Sequence, residues 1–451
     1  MLRVFGPAKA DAVNRRSFLQ AGALGAGGLG LSQLLKLRAE GAVNASRRNT
    51  AVILFWLSGG PGHMETWDPK PDAPREYRGP LGAIATSVAG VQFGELMPRL
   101  ARQMDQLAVL RTVNHGSGDH TKGNHWMLTG FEGPAFNAPD NRQQRRPAMG
   151  AAVAKTRGAN RAGMPAYVGV PHLRGGTDNL FHYGAYLGGG YNPFVVNSDP
   201  ASDDFAVRNL TLPPELSRPR LADRLNLLKS IDTLSRANER AMQDLDEHHQ
   251  QAFDLLTSRR VREAFDIDAE TDVTRQSYGM HTFGQSALVA RRLVERGVTF
   301  VTVNCVPWDH HGSANRYPTE EGARLLIPPL DNAMAGLIED LQQRGLYDDV
   351  LVIAMGEFGR TPRINTYAGR DHWGKTFSVL MGCGGMNMGQ TIGRSSARGE
   401  YVVNRPISPQ DVAATVYHHL GIDGAATWFH DELDRPLPLI ADGEPIAELF
   451  A

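Results

Sequence analysis

The sequence predicts an α/β protein, a three-layer sandwich in which helices cover both faces of a mostly parallel central sheet. Continuous apolar runs, of the kind buried on both faces of such a sheet, occur at 51–57, 107–113, 298–304 and 351–355. Helical patterns separate the runs, and the amphipathic stretch 325–345 supplies the crossover that a parallel pair of strands requires. We therefore expect one large domain over residues 46–451.

The first 45 residues predict an export signal. The segment Asn14–Gln20 contains the pair Arg15-Arg16, and a weakly apolar stretch rich in Ala, Gly and Leu follows at 21–35. This order is typical of a twin-arginine signal, while the apolar stretch is too short and too Gly-rich for a stable membrane span. We expect export by the twin-arginine machinery to the periplasm or the extracellular space. An ordinary amphipathic first helix is the alternative interpretation.

The net charge argues against a nucleic-acid partner, and the cysteine content argues against a fold held together by disulfides. The formal net charge is −1 and the basic residues are dispersed, so the sequence predicts no nucleic-acid-binding surface. The two cysteines, Cys305 and Cys383, are too few for a disulfide framework. Both follow predicted strands, where a thiol commonly packs as a small hydrophobic group. A single disulfide between them is the alternative.

Two insertions are expected within the domain. Residues near 165–214 are rich in Gly and aromatic side chains, a composition typical of irregular loops that cover a site. Rings such as Tyr183 and Tyr186 could hold a sugar by stacking, although packing against the sheet is the favoured interpretation. The stretch near 221–263 is helical with alternating charge and predicts a solvated helical hairpin. A further helix is predicted over 276–296.

The two later strands end in loops that carry metal-binding side-chain types. The run 351–355 is followed by Glu357, Arg360 and the pair Asp371-His372, and the run 298–304 is followed by Asp309-His310-His311. Because the carboxyl ends of parallel strands meet at one edge of a sheet, we expect these loops to lie together. Carboxylate and imidazole groups are common ligands of divalent ions. For each loop alone, an acidic cap or a polar turn is the alternative.

The two earlier strands end in Gly- and His-rich loops. The run 51–57 opens into the Gly-rich segment 58–63, which lacks the Lys-Ser/Thr of a phosphate-binding P-loop. The run 107–113 leads to His115, His120 and His125, each of which on its own is more typical of a structural hydrogen bond. His120 and Thr121 stand where a helix is predicted to begin, so an anion there would meet free backbone donors.

In this order, the four strand ends resemble the alkaline phosphatase and sulfatase superfamily. They are most similar to an uncharacterised bacterial family of twin-arginine-exported, sulfatase-like proteins. The motifs that carry the resemblance are Leu57–His63 with Trp67–Pro71, Trp308–His311, Gly356–Pro362, Gly369–Trp373 and Pro406–Ile422. The resemblance implies an alkaline phosphatase/sulfatase-like fold for everything after the leader.

The resemblance also implies a metal site. Asp309 and His311 resemble the first-metal ligands of the superfamily, His372 resembles its late metal-binding histidine, and Glu357 stands where it has a metal-binding Asp. Two positions depart from the pattern, because Ser58 and Phe358 stand where a metal-binding Asp and His are usual. We expect a divalent ion held by Asp309, His311, Glu357 and His372, and this mixed ligand set leaves calcium, zinc and manganese open.

The implied function is metal-dependent hydrolysis of a phosphate or sulfate ester, on a small molecule or a glycan, outside the cytoplasm. Arg360 would clamp the non-bridging oxygens. His120 stands at the usual position of the nucleophile, so Thr121 next to it is predicted to attack while His120 accepts the proton. Attack by water is the alternative for the nucleophile. The alternative functions are a non-catalytic protein that binds glycans through the aromatic loop, and a purely structural exported protein.

Overall fold

The computed structural model describes residues 49–173, 181–207, 258–313 and 316–450, with the single positions 210, 220 and 223. Its strands are β1 (Ala51–Trp56), β2 (Ala83–Ala85), β3 (Gln92–Gly94), β4 (Leu107–Val113), β5 (Tyr167–Val170), β6 (Phe194–Val195), β7 (Phe300–Asn304), β8 (Val350–Met355), β9 (Gly359–Arg360), β10 (His372–Trp373), β11 (Phe377–Gly382), β12 (Gln390–Ile392), β13 (Arg394–Ser395), β14 (Val402–Asn404), β15 (Trp428–His430) and β16 (Pro436–Pro438). Its helices are α1 (Arg75–Arg78), α2 (Pro98–Arg102), α3 (His120–Thr129), α4 (Met149–Thr156), α5 (Arg259–Phe265), α6 (Asp272–Tyr278), α7 (Thr282–Glu295), α8 (Thr319–Gln343) and α9 (Pro409–His419).

A central sheet of eight strands has the order β12-β4-β11-β8-β1-β7-β5-β6. Strand β1 pairs in parallel with both β7 and β8, and β5 pairs in parallel with β7 and β6. Strand β11 is antiparallel to β8 and to β4, so β4 runs in the same direction as β8. All four predicted strands therefore lie in this sheet with their carboxyl ends at one edge. The prediction of an α/β fold with a mostly parallel central sheet is confirmed.

The apolar runs are continuous because both faces of the sheet are covered. Ile53 and Phe55 of β1 pack into a core with α2, α5, α6, α7 and α8, whereas Leu54 and Trp56 pack into a second core with α3, α4 and α9. Alternate side chains of one strand point to opposite faces, so a strand between two helical layers needs apolar residues at every position. The three-layer sandwich follows from this pattern.

Two predicted helices differ from those observed. The crossover helix begins at Thr319 rather than 325 and ends at Gln343, with Gly345 in the left-handed region at φ +64°. The helix predicted over 276–296 is two helices, α6 and α7, separated at Gly279. Gly279 has φ +92°, a conformation that interrupts a right-handed helix, so the apolar periodicity on either side belongs to separate helices.

The described part of the 165–214 insertion contributes β5 and β6 to the sheet. Most of 221–263 and the leader 1–45 lie outside the described residues, so the helical hairpin and the export signal stay predictions. Cys305 and Cys383 are both buried free thiols. Among the described residues, no helix is both long enough and apolar enough to cross a membrane.

Candidate functional site

Polar side chains from the ends of β4, β7 and β8 meet around the carboxylate of Asp309. The Oδ1 atom of Asp309 lies 2.8 Å from Nε2 of His311, 3.2 Å from Nε2 of His372 and 3.6 Å from Nε2 of His120. Ligand atoms of His120, Asp309 and His372 all lie within 4.8 Å of one another. The edge of the sheet predicted to hold the site therefore does bring these groups together.

Each of the three imidazole rings is held at Nδ1 by a different acceptor. Glu357 Oε1 accepts from His120 at 2.7 Å, the Gly118 carbonyl accepts from His372 at 2.8 Å, and Asp371 Oδ1 lies 3.2 Å from His311 Nδ1. Since carbonyl and carboxylate oxygens only accept, the ring proton is placed on Nδ1. In the neutral ring, Nε2 then presents its lone pair to the centre of the site, as in histidines that bind metals.

The electrostatics of the group fit a cation. Nε2 of His311 and Nε2 of His372 are only 2.8 Å apart, so two lone pairs face each other beside a carboxylate. Burial lowers the pKa of His372, which favours its neutral, ligating form. Although burial alone would raise the pKa of Asp309, the Arg360 guanidinium, whose Nη2 donates to Oδ1 at 2.6 Å, helps to hold this pKa well below its usual range. Three nitrogens and one ionised oxygen form a donor set that suits a divalent ion.

Glu357 lies on the side of His120 that faces away from Asp309. Its side chain is fully buried, and its two oxygens accept from the Gly59 backbone N–H at 2.8 and 3.1 Å. The remaining contact is with His120, so the carboxylate orients a ring instead of lying in the group around Asp309. The structure thus places His120, predicted to be a base, among the possible ligands and Glu357 behind it.

Arg360 lies behind Asp309, with 2% of its side chain exposed. Its Nη2 donates to Asp309 Oδ1 at 2.6 Å and also to the Gly59 carbonyl, Nε donates to the Gly60 carbonyl at 2.9 Å, and Nη1 donates to the Arg370 carbonyl at 3.1 Å. These contacts engage most of the donors that a guanidinium has. The geometry makes Arg360 an anchor for Asp309 and for the loop after β1.

One arginine and one threonine near Asp309 determine which charged and hydroxyl groups a substrate could contact. Arg316, which the sequence patterns do not predict as a site residue, reaches Asp309 Oδ2 at 3.4 Å, and 44% of its side chain is exposed. Thr121, the predicted nucleophile, is 3% exposed in the first turn of α3. That turn is capped by Asp119, whose carboxylate accepts from Lys122 N at 3.0 Å, so the donors expected to be free for an anion are partly used. The only sequence signal for Arg316 was its closeness to Asp309.

The two departures from the superfamily pattern are both buried. Phe358 is fully buried and stacks on His372, with ring centroids 4.5 Å apart, and its ring lies 4.8 Å from that of His120. It forms an apolar wall that limits the space around the two imidazoles. Ser58 is 3% exposed, and its carbonyl accepts from the Trp308 N–H at 2.9 Å, which ties β1 to the loop that carries Asp309.

The later part of the aromatic loop, residues 189–194, lies away from the group around Asp309. A cavity of about 390 Å³ is lined by Tyr191, Asn192 and Phe194 and by residues 163–167, which lead into β5. Strand β5 is parallel to β7, whose carboxyl end leads to Asp309, so this cavity opens at the opposite end of the strands. Tyr186 packs against the core, in line with the favoured interpretation of the loop.

Comparisons with known proteins show structural likeness at low identity. No curated protein matches the chain. Among solved structures, PsFucS1 sulfatase from Pseudoalteromonas sp. is 11% identical, with 86% of this chain and 71% of that chain covered and a TM-score of 0.37. Phosphonate monoester hydrolase of Agrobacterium radiobacter is 14% identical, with 89% and 77% covered and a TM-score of 0.38. A protein in the alkaline phosphatase superfamily from Vibrio parahaemolyticus is 11% identical, with 87% and 82% covered and a TM-score of 0.36.

A family model with the description "Protein of unknown function (DUF1501)" matches residues 49–450. The match begins just after the predicted leader and takes in every residue of the group around Asp309. The chain belongs to the DUF1501 family.

Proposed function

We propose that this protein is a metal-dependent hydrolase of phosphate or sulfate esters that acts outside the cytoplasm after twin-arginine export. One observation carries the proposal: three Nε2 atoms converge on Asp309 Oδ1 while each Nδ1 is held by its own acceptor. Structural histidines need no such common orientation. Holding the outer nitrogen of a ligating histidine is the usual way in which proteins preorganise a metal site.

The ligands we assign are Asp309, His311, His372 and His120, and this set favours zinc or another imidazole-preferring ion over calcium. Imidazole suits zinc and its transition-metal neighbours, whereas calcium takes mainly oxygen ligands. When bound, the ion supplies Lewis-acid stabilisation of charge on the ester oxygens. The nearby cation Arg316 is exposed enough to meet a non-bridging oxygen of the substrate, which its planar donors match.

Water is the nucleophile in this proposal, because the Thr121 hydroxyl is almost fully buried. Attack on phosphorus or sulfur forms a new bond to the water oxygen and breaks the ester bond, and the alcohol leaves with a proton. The twin-arginine leader, residues 1–45, would deliver the folded protein across the membrane.

The test is metal analysis of the full-length protein purified without chelator, followed by a panel of phosphate and sulfate esters. We expect near-stoichiometric zinc or a related ion in the wild type and none in Asp309→Ala/His372→Ala. A matched control is Asp442→Ala/His430→Ala, which removes an exposed acid and an exposed histidine far along the chain. Metal content and hydrolysis that persist in the first variant would overturn the proposal.

A non-catalytic binding protein is the second candidate. The observation in its favour is that Arg360 and Thr121, the residues predicted to act on the substrate, are both buried. Stoichiometric metal with no turnover of any ester in the panel would favour this candidate. Retention on glycans that is lost when the metal is removed would then identify the group around Asp309 as a binding site.

A further inference from the structure

A small cavity lies between the loops that follow β1 and β7 and the start of α8. Its volume is about 10 Å³, the space that a single water molecule needs. The buried guanidiniums of Arg360 and Arg370 line it together with side chains of these three segments. Because Arg360 also donates to Asp309, the cavity adjoins the candidate metal site, although none of the three imidazoles that face Asp309 lines it.

Four of the side chains that line the cavity carry a buried nitrogen or oxygen with no hydrogen-bond partner among the described residues. These atoms are Oε2 of Glu65, Nε1 of Trp308, Nε2 of His310 and Oγ1 of Thr319. All four residues are more than nine-tenths buried, and the most exposed of them is His310 at 8%. Buried polar atoms are nearly always paired, and where no protein group is in reach an internal water serves as the partner.

Two glycines allow these atoms to come close to one another. A Cβ added to Gly322, near the start of α8, would lie 2.4 Å from Nε2 of His310, so the ring reaches the helix backbone only because residue 322 is glycine. Thr319 stands three positions earlier and therefore lies on the same face of α8. A Cβ added to Gly62 would lie 2.1 Å from Oε2 of Glu65. The first two polar atoms thus approach the cavity beside α8, and the third approaches from the loop after β1.

The two guanidiniums do not supply the missing partners. Nε and Nη2 of Arg370 donate to Oε1 of Glu65 at 2.9 and 2.7 Å, and its other donors face three backbone carbonyls. Arg360 donates to Asp309 and likewise to three backbone carbonyls. These contacts engage all or most of the donors of a guanidinium. Oε2 of Glu65 is therefore left to find a donor inside the cavity.

The four unpartnered atoms select a neutral ligand that both donates and accepts. The Trp308 indole only donates and the Glu65 carboxylate only accepts, whereas a hydroxyl or a neutral imidazole has atoms of both kinds. The two guanidiniums disfavour a cation in the cavity, and the Glu65 carboxylate disfavours an anion. A water molecule fits the volume, carries no charge and forms up to four hydrogen bonds, so it can pair all four atoms at once.

We infer that one ordered water occupies this cavity, bonds the four unpartnered atoms and fixes the loop that carries Asp309 and His311. Trp308 and His310 stand on either side of Asp309 in sequence, so a bond to each of them restrains the carboxylate between them. Thr319 supplies a rigid support, because it belongs to a helix of 25 residues. The water and its hold on the loop do not depend on the proposed hydrolase function, whereas their effect on metal affinity rests on it.

The occupant of the cavity is tested by a crystal structure of the wild type at a resolution that shows buried waters. We expect one peak at hydrogen-bond distance, about 2.7–3.2 Å, from the four atoms. Crystals soaked in rubidium or bromide salts show whether an ion takes the place, because both ions scatter anomalously. An anomalous peak in the cavity would overturn the assignment of water, and an empty cavity would overturn the whole inference.

The hold on the loop is tested with Thr319→Val, which keeps the shape of the side chain and removes its hydroxyl. Thr319→Ser restores the hydroxyl, and Thr299→Val is the matched control, a buried threonine whose hydroxyl donates to the Gly158 carbonyl at 2.7 Å, away from the cavity. Hydrogen exchange of residues 308–311 is measured by mass spectrometry in chelator-treated proteins. We expect faster exchange in Thr319→Val only. Equal exchange in all the proteins would overturn the role assigned to the water.

Zinc affinity of the same proteins connects the water to the candidate metal site. We expect roughly tenfold weaker binding in Thr319→Val, the lower end of the usual effect of losing a group behind a metal ligand, and wild-type affinity in Thr319→Ser and Thr299→Val. A wild type that binds no zinc would sink the hydrolase proposal, while the crystallographic peak and the exchange difference would still support the water. Zinc binding of equal strength in all the proteins would do the reverse and contradict the effect of the water on the site.

Discussion

Glu357 accepts a hydrogen bond from Nδ1 of His120 at 2.7 Å. The carboxylate is fully buried and also accepts from the Gly59 N–H, so it is fixed from the side of β1. A buried acceptor behind a histidine sets both the tautomer and the direction of Nε2. This pair therefore controls one of the nitrogens that face Asp309, although Glu357 itself is turned away from the centre.

Glu357→Ala is expected to weaken metal binding by roughly 10- to 100-fold, the usual effect of removing such an acceptor. Glu357→Gln should fall between this variant and the wild type, because an amide oxygen can still accept from His120. Competition with a chromophoric chelator gives the affinities. Circular dichroism of each variant checks that the fold is kept. Equal affinity in all three proteins would contradict the role assigned to Glu357.

Asp371→Asn is expected to reduce the affinity for metal less than Glu357→Ala does. The Asp371 carboxylate is 57% exposed, so water can replace it as the acceptor for His311 Nδ1. The same chelator competition measures the difference. A larger loss in Asp371→Asn than in Glu357→Ala would mean that His311, and not His120, is the histidine whose orientation matters most.

Metal should stabilise the protein by mass action. An ion that binds only the folded state adds about 2.7 kcal/mol of unfolding free energy at a free concentration 100 times its Kd. We expect zinc added to chelator-treated protein to raise the melting temperature, and calcium at the same concentration to raise it much less. Differential scanning fluorimetry measures both shifts. The zinc shift should vanish in Asp309→Ala/His372→Ala; a shift of equal size in that variant would place the metal elsewhere.

Much of the fold could be predicted because strands buried on two faces have an unmistakable pattern. The run at 107–113 and the strand β4 coincide, and the runs at 51–57, 298–304 and 351–355 differ from β1, β7 and β8 by one or two residues at an end. The single helix predicted over 276–296 failed because one glycine, Gly279, changes the chain direction without disturbing the apolar periodicity. The apolar periodicity of a sequence indicates which face of a helix is buried, but it does not show where a helix is interrupted.

The location of the site could be predicted from the sequence, but the role of each residue in it could not. Strand order alone brings Asp309, His311 and His372 to one edge, and the spacing along the chain indicates that much. The places of His120 and Glu357 depend on the backbone N–H of Gly59, which lies 298 positions from Glu357 in sequence. No local pattern reveals which neighbour a carboxylate accepts from. Arg316 was missed for the same reason, because its contact with Asp309 is made in three dimensions.

Arg316→Ala is expected to raise KM for an ester substrate about tenfold, since a charge-assisted hydrogen bond contributes roughly 1.5–3 kcal/mol. Stability should change little, because the side chain is 44% exposed. Arg324→Ala is the matched control, an exposed arginine on α8 that pairs with Glu320. Steady-state kinetics of both variants at two salt concentrations measure the change in KM. A KM effect of the same size in both variants would indicate a general loss of positive charge and contradict a specific contact.

His63 makes the stability of the fold depend on pH. Burial lowers the pKa of this ring from 6.5 to about 4. The charge of Asp68 raises the pKa, and the charges of Arg370 and Lys70 lower it. His63 is therefore protonated below about pH 6.5 in the unfolded chain, but only below about pH 4 in the folded protein. The stabilisation is complete above pH 6.5 and is lost as the pH falls through this window.

His63→Gln should remove this dependence, since glutamine can still donate to the Gly399 carbonyl, which lies 3.0 Å from His63 Nε2. Between pH 7.5 and 4.5 we expect the wild type to lose roughly 2–3 kcal/mol more unfolding free energy than the variant does. Urea titrations of both proteins at the two pH values give the difference. The other buried histidines titrate in both proteins and cancel in the comparison. Parallel losses in the two proteins would show that His63 does not carry the effect.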